Sequence, residues 1–371
     1  MEVVMQNLDL KNIDKASWQT FRFEEIAEKI SKTVKPEEAD VDIYVGLEHL
    51  DAEDIHIKRH GVPSDVKGGK LRCYPGDIIF GKRRAYQRKA AIVDFDGICS
   101  AHAFVFRANP DVIEPELFPF FLHSDQFMHR MVDISVGGLS PTINWSDLKH
   151  QEFLLPPKDQ QKQLAKLLWA MDDVIEKEKE VLERLNSFKL SQLKEVFNRD
   201  KCDKVKVGDI SENIDNRRIP IKQSDRKKGS YPYYGASGIV DYIDDFIFDE
   251  PILLISEDGE NLDSRKLPIS YEVDNKCWVN NHAHVLSINQ TSRYLVKEYF
   301  NFSDISDFIT GGTRPKITKG MLTDMPIYIP KESFLVESED KLKAIDKAIY
   351  SSDSKIASSK ALQKSLINQI F

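Results

Sequence analysis

Two stretches of the chain carry apolar residues at helical spacing over unusual lengths. From Asp159 to Phe197 there is no Gly or Pro, and Leu164, Leu168, Met171, Ile175, Leu182 and Leu185 recur every three or four positions, with Glu178 at the one skipped step. That spacing predicts a long helix with a heptad-like seam. The run Glu176-Lys177-Glu178-Lys179-Glu180 supplies solvated partners one turn apart. A second stretch after Pro330 repeats the pattern with Leu342, Ile345, Ile349, Ile356, Leu362, Leu366 and Ile370. At 1.5 Å per residue each helix would span roughly 50–58 Å. Helices of that length expose their seams unless they pair, so an antiparallel coiled-coil pair is expected.

The rest of the pattern is strand-like and shorter. Asp77-Ile78-Ile79-Phe80, Ala91-Ile92-Val93, Ala103 to Phe106, Phe153-Leu154-Leu155, Ile252 to Ile255, and Trp278-Val279 continuing to His284-Val285-Leu286 read as strands. Helices are predicted over 115–131 and 292–305.

The chain also repeats itself. Residues 134–197 align with 308–371 at an offset of 174 without a gap, with twelve identities in 64 positions. Gly137-Gly138-Leu139-Ser140-Pro141-Thr142-Ile143 matches Gly311-Gly312-Thr313-Arg314-Pro315-Lys316-Ile317. Phe21 to Ile26 matches Val205 to Ile210 at an offset of 184. The expected organisation is a globular domain over 1–157, a helix over 158–199, a second domain over 200–331 and a closing helix over 332–371. The predicted fold class is α+β: two pseudo-symmetric domains of mixed α/β structure separated by two long antiparallel helices.

Composition narrows the function. The chain has 371 residues, 41% of them hydrophobic, so it can bury a sizeable core. No apolar run reaches the ~18–20 residues needed to cross a bilayer. Met1 to Asp14 lack the pattern of a secretory signal, and Cys73, Cys99, Cys202 and Cys277 form no Cys-x-x-Cys pair. A cytoplasmic protein with reduced thiols and no membrane partner is expected.

The net charge is −8, but it is uneven. Lys58 to Lys89 hold ten Lys or Arg against two Asp, and Arg217 to Lys228 hold six against one acid. Asp241 to Asp263 hold nine acids and no base. The basic islands are interleaved with aromatics and glycines. Arg and Gln can read base edges and Lys can hold phosphates. Lys82, Arg83, Arg84, Tyr86, Gln87, Arg88 and Lys89 are therefore candidate DNA contacts in the first half. Arg217, Arg218, Lys222, Arg226, Lys227, Lys228, Tyr234 and Ser237 are candidates in the second. One island in each repeat, at comparable positions, suggests two modules reading two half-sites, with the helices setting their spacing.

Catalytic signatures are missing. There is no Asn/Asp-Pro-Pro-Tyr/Phe loop of an adenine methyltransferase, no Gly-x-x-x-x-Gly-Lys-Ser/Thr phosphate loop and no Gly-x-Gly-x-x-Gly. His282-Ala283-His284 could seed a metal site and Glu257-Asp258-Gly259-Glu260 could attract a hard cation. Neither has the spacing of a complete ligand set, so no metal is expected.

Taken together, Phe80 to Lys89, Phe95 to Ser100, Tyr231 to Gly238, Ile255 to Leu262, Trp278 to Leu286 and the duplicated Gly-Gly-x-x-Pro turn before a strand, a proline and a long helix resemble the specificity subunits of type I restriction-modification enzymes. The resemblance runs from about Trp18 to Phe371. It implies a DNA-binding subunit without catalysis of its own, reading a bipartite double-stranded target. It further implies two methylation subunits carrying S-adenosylmethionine, and motor-nuclease subunits using ATP and Mg. A coiled-coil scaffold, or an orphan bipartite DNA binder outside restriction, is the alternative.

Overall fold

The computed structural model describes residues 15–371; the expectation about Met1 to Asp14 lies outside the described residues. Contacts divide the chain into two units, one of residues up to 179 with 354–371, the other of 180–353. Each unit therefore contains one globular domain and part of each long helix.

In the first unit, Gln19–Arg22 pairs antiparallel with Glu152–Leu155. A helical turn, Phe23–Ile26, leads into a four-stranded antiparallel sheet. Its order is Ala27–Ile30, Ala103–Ala108, Ile78–Gly81, Ala90–Ile92. A second sheet orders Thr33–Val34, Lys70–Cys73, Gly97–Cys99 and Tyr44–Val45, the last pair being parallel. The apolar alternation of Ile78, Ile79 and Phe80 explains this layering. Ile78 and Phe80 enter the large aromatic core, while Ile79 turns to a smaller core with Val45, Cys99 and Val105.

The second unit repeats the plan. Cys202–Lys206 pairs with Pro326–Pro330, Val207–Ile210 makes the helical turn, and the main sheet orders Ser211–Asn213, Ala283–Ile288, Ile252–Ser256, Ser270–Val273. The second sheet holds Gly238–Ile243, Lys228–Gly235 and Trp278–Val279, again with one parallel pair. The strand expected from Trp278 to Leu286 is thus two strands in different sheets, broken at Asn280 to His282.

The helix expected over 115–131 is also two, Phe118–His123 and Asp125–Asp133. Ser124 interrupts it with extended backbone (ψ 147°), and its Oγ accepts from the Phe127 N–H as an N-cap. Ser292 caps Arg293–Phe302 in the same way through the Leu295 N–H.

The long helices are Lys158–Val196 and Glu332–Ile370. In the first unit Gln363 Nε2 donates to the Leu168 carbonyl and Lys355 lies 3.6 Å from Glu178, so the two segments run antiparallel. In the second unit Lys189 pairs with Asp346 and Lys341 with Glu195, with the same sense. Leu164, Leu168 and Ile175 of the predicted seam are buried. No helix among the described residues is long and apolar enough to cross a membrane.

Candidate nucleic-acid interface

The first basic island leaves the core strand Ile78–Gly81 and meets the Gly-Gly loop. The Ile143 N–H donates to the Lys82 carbonyl at 2.9 Å, Arg83 bridges Thr142, and the Arg84 N–H donates to the Pro141 carbonyl at 2.7 Å. The Arg84 guanidinium donates to Ser140 Oγ at 3.1 and 3.2 Å. A short 3-10 turn, Ala85–Gln87, follows, anchored by buried Ala85 and flanked by left-handed Arg84 (φ 57°) and Arg88 (φ 52°). Arg83, Arg84 and Tyr86 face solvent, and Gln87 is half-buried.

Three members of this island turn inward. Arg88 lies 2.9 Å from Glu53 and 2.7 Å from Asp125, and donates to the His123 carbonyl. Lys89 Nζ donates to the Leu47 carbonyl at 2.6 Å. Lys82 lies over the Phe104 ring at 5.1 Å; burial, then the nearby Lys29 charge, lowers its pKa. Arg88 is thus held by partners within its own domain.

The second island divides similarly. Arg217 pairs with Glu250 and sits over the Phe248 ring. Arg218 is held between Glu257, Asp215 and the Ala283 carbonyl. Arg226 stacks on Tyr233 at 4.4 Å and donates to Asp241. Their positive charges are paired with acids of the same domain. Lys222, Lys227 and Lys228 are exposed. Tyr234 is half-buried, with burial raising its pKa, and Ser237 is exposed in the hairpin turn between Gly235 and Gly238.

The islands do not occupy comparable positions. In the second half the Ile317 N–H donates to Glu257, Asp258 bridges Lys316, and the Gly259 N–H donates to Pro315. By these bonds Lys82, Arg83 and Arg84 correspond to the acidic turn at Glu257, Asp258 and Gly259. The island from Arg217 to Lys228 instead leads from the main sheet into the second sheet.

The second half supplies its cation to this seam from the opposite side. Arg314, on the Gly-Gly loop, is 64% exposed in its side chain and lies 2.9 Å from Asp258. Sequence reasoning passed over Arg314 because it lies in a motif read only as a turn; its place opposite Ser140 in the repeat was the available signal.

Two clusters could offer metal ligands by proximity: Asp54, His56, Glu176, and Asp215, Glu257, His284. Cationic side chains already occupy both. Lys58 and Lys179 bridge Asp54 and Glu176. Arg218 reaches both Asp215 and Glu257, and Lys316 reaches Glu257. His282 faces Asp258, whereas His284 lies between Asp215 and the Ile317 carbonyl. These are ion-pair networks, the first fixing a loop to the long helix Lys158–Val196 and the second fixing loops to the main sheet of the second unit.

A duplicated domain of two sheets and short helices alternates along the chain with two long antiparallel helices. The sequence matches the type I restriction modification DNA specificity domain twice, over residues 15–187 and 199–358, and the chain belongs to that family. It is 34% identical over 141 residues to a putative type I restriction enzyme specificity subunit of Haemophilus influenzae, covering 38% of this chain and 36% of the relative. It is 28% identical over 200 residues to the type I restriction enzyme EcoDI specificity subunit of Escherichia coli, covering 52% and 44%. The matched stretches thus span less than half the length of these relatives. The crystal structure of a type I restriction-modification S subunit from M. genitalium shares the fold, with TM-score 0.62 at 14% identity over 99% of this chain and 98% of that one. A chain from a study of complex assembly in the type I R-M system aligns with TM-score 0.57 at 18% identity, covering 96% and 97%.

Proposed function

We propose that this chain is the DNA-specificity subunit of a type I restriction-modification system and reads a bipartite double-stranded target, one specificity domain per half-site. The observation that carries the reading is the occurrence of the same specificity domain twice in one chain, each copy presenting an arginine beside its Gly-Gly loop. Exposed Arg83, Arg84, Lys222, Lys227 and Lys228 supply phosphate and base contacts; counterion release makes that binding salt-dependent. The chain performs no covalent chemistry. Two methylation subunits bring S-adenosylmethionine and modify an adenine in each half-site, and motor-nuclease subunits bring ATP and Mg.

Long-read methylation mapping of host DNA with and without the gene tests this. Loss of one bipartite methylated motif on deletion is expected. A methylome that keeps every motif overturns the reading.

A further inference from the structure

Each Gly-Gly loop has one glycine that its own fold explains and one that it does not. Gly137 (φ 112°) and Gly311 (φ 86°) adopt backbone that favours glycine. Gly138 and Gly312 have no positive φ, and a Cβ built on either would meet nothing within 4 Å. Neither conformation nor internal space therefore requires glycine at these positions, yet both halves of the chain carry it.

The loop backbone is also open to the outside. The turns are closed by bridges between Val136 and Thr142 and between Thr310 and Lys316. Between those bridges, among the described residues, the amides of Gly138 and Leu139 and of Gly312 and Thr313 donate to no group of the chain. Leu139 is 98% exposed. An arginine stands beside each loop, Arg84 on Ser140 in one half and Arg314 on Asp258 in the other. Glycine used where nothing internal demands it, next to free amides and a cation, is the arrangement that lets backbone approach a phosphate closely.

We propose that the two Gly-Gly loops are phosphodiester-binding elements of the two specificity domains, with Gly138 and Gly312 allowing their amides to reach DNA phosphate oxygens. Arg84 and Arg314 supply the accompanying charge. The inference rests on the DNA-specificity reading and adds to it the elements that set the register of each domain on the backbone.

The test uses the full-length chain and a fluorescently labelled duplex of randomised sequence, because phosphate contacts carry no base information. Gly138→Ala and Gly312→Ala are compared with the parent and with Gly320→Ala. Gly320, in the helix Lys319–Asp324, also has open space around a Cβ. The loop variants are expected to melt at or above the parent temperature and to bind about tenfold more weakly with the parental salt slope, because a neutral amide releases no counterion. Gly320→Ala is expected to bind as the parent does. Loop variants with parental affinity overturn the inference and leave the DNA reading standing. A lower melting temperature shows that these glycines serve the fold and also overturns it. A parent with no duplex affinity at any salt defeats both readings together.

Discussion

The backbone N–H of Arg84 donates to the carbonyl of Pro141 at 2.7 Å, and the same bond joins Gly259 to Pro315 at 3.0 Å in the other half. The bond fixes the Gly-Gly loop against the edge of the core strand. In the first half it is made by an arginine in left-handed backbone (φ 57°), in the second by a glycine (φ 114°). A left-handed non-glycine residue costs on the order of 1 kcal/mol. The first domain thus tolerates strain to place a guanidinium where the second domain uses glycine and takes its cation from Arg314.

Arg84→Gly should therefore separate binding from folding. Relief of the left-handed strain and the greater chain entropy of glycine nearly offset each other, so urea melts should agree within about 1 kcal/mol. Duplex affinity should fall, with a salt slope lower by about one. Parental affinity in this variant would remove Arg84 from the interface.

Arg88→Ala should behave in the opposite way. Arg88 ties Glu53 and Asp125 to the His123 carbonyl, and its side chain is only 17% exposed. Both acids keep some contact with water, so the loss should lie below the ~3–5 kcal/mol of a fully buried pair, at about 1–2 kcal/mol. The salt slope should not change. A slope reduced by one would place Arg88 on the DNA surface.

The difference between these two arginines marks what the sequence could tell. The repeat was legible because its second part runs without a gap: Phe197 and Phe371, 174 positions apart, both close aromatic clusters, against Tyr299 and Phe121 respectively. The long helices were legible for want of Gly and Pro. Arg88 could not be told from Arg84, because its acidic partners lie 35 and 37 positions away and only the fold brings them to it. The mispairing of the islands arose where the repeat changes offset, in the loops that differ most between the halves.

Phe371→Ala should loosen the first unit. The ring meets Phe121 edge-on at 5.2 Å and belongs to the same core as Leu366, Ile367 and Ile370. Truncating a buried phenylalanine costs about 3–5 kcal/mol in a core, and less here because the site lies at the core margin. Hydrogen exchange should show faster opening of Phe118–His123 with little change in Arg293–Phe302. Equal loss of protection in both helices would contradict the division of the core.

The last prediction concerns pH. His56 Nε2 lies 2.7 Å from Asp172 Oδ2, on the long helix. The hydrogen bond to Asp172 raises the histidine pKa against the opposing effect of burial, and Glu176 and Asp54 add to the rise. Asp54 itself is held at about 2, since the His56 amide and the Lys58 and Lys179 charges outweigh its burial, so it stays ionised across the neutral range. A raised folded-state pKa means that the folded protein binds the proton more tightly than the unfolded chain does. The stabilisation is complete below the ordinary histidine value of about 6.5 and is lost as pH rises through the folded-state pKa. Stability of the first unit should therefore fall on going from pH 6 towards pH 9, at no more than ~1.4 kcal/mol per pH unit from this one group. His56→Gln should be less stable than the parent at pH 6, show a flatter profile, and approach the parent at pH 9. Denaturant melts of both proteins across that range measure it, and parallel profiles would show that the pair contributes no proton linkage.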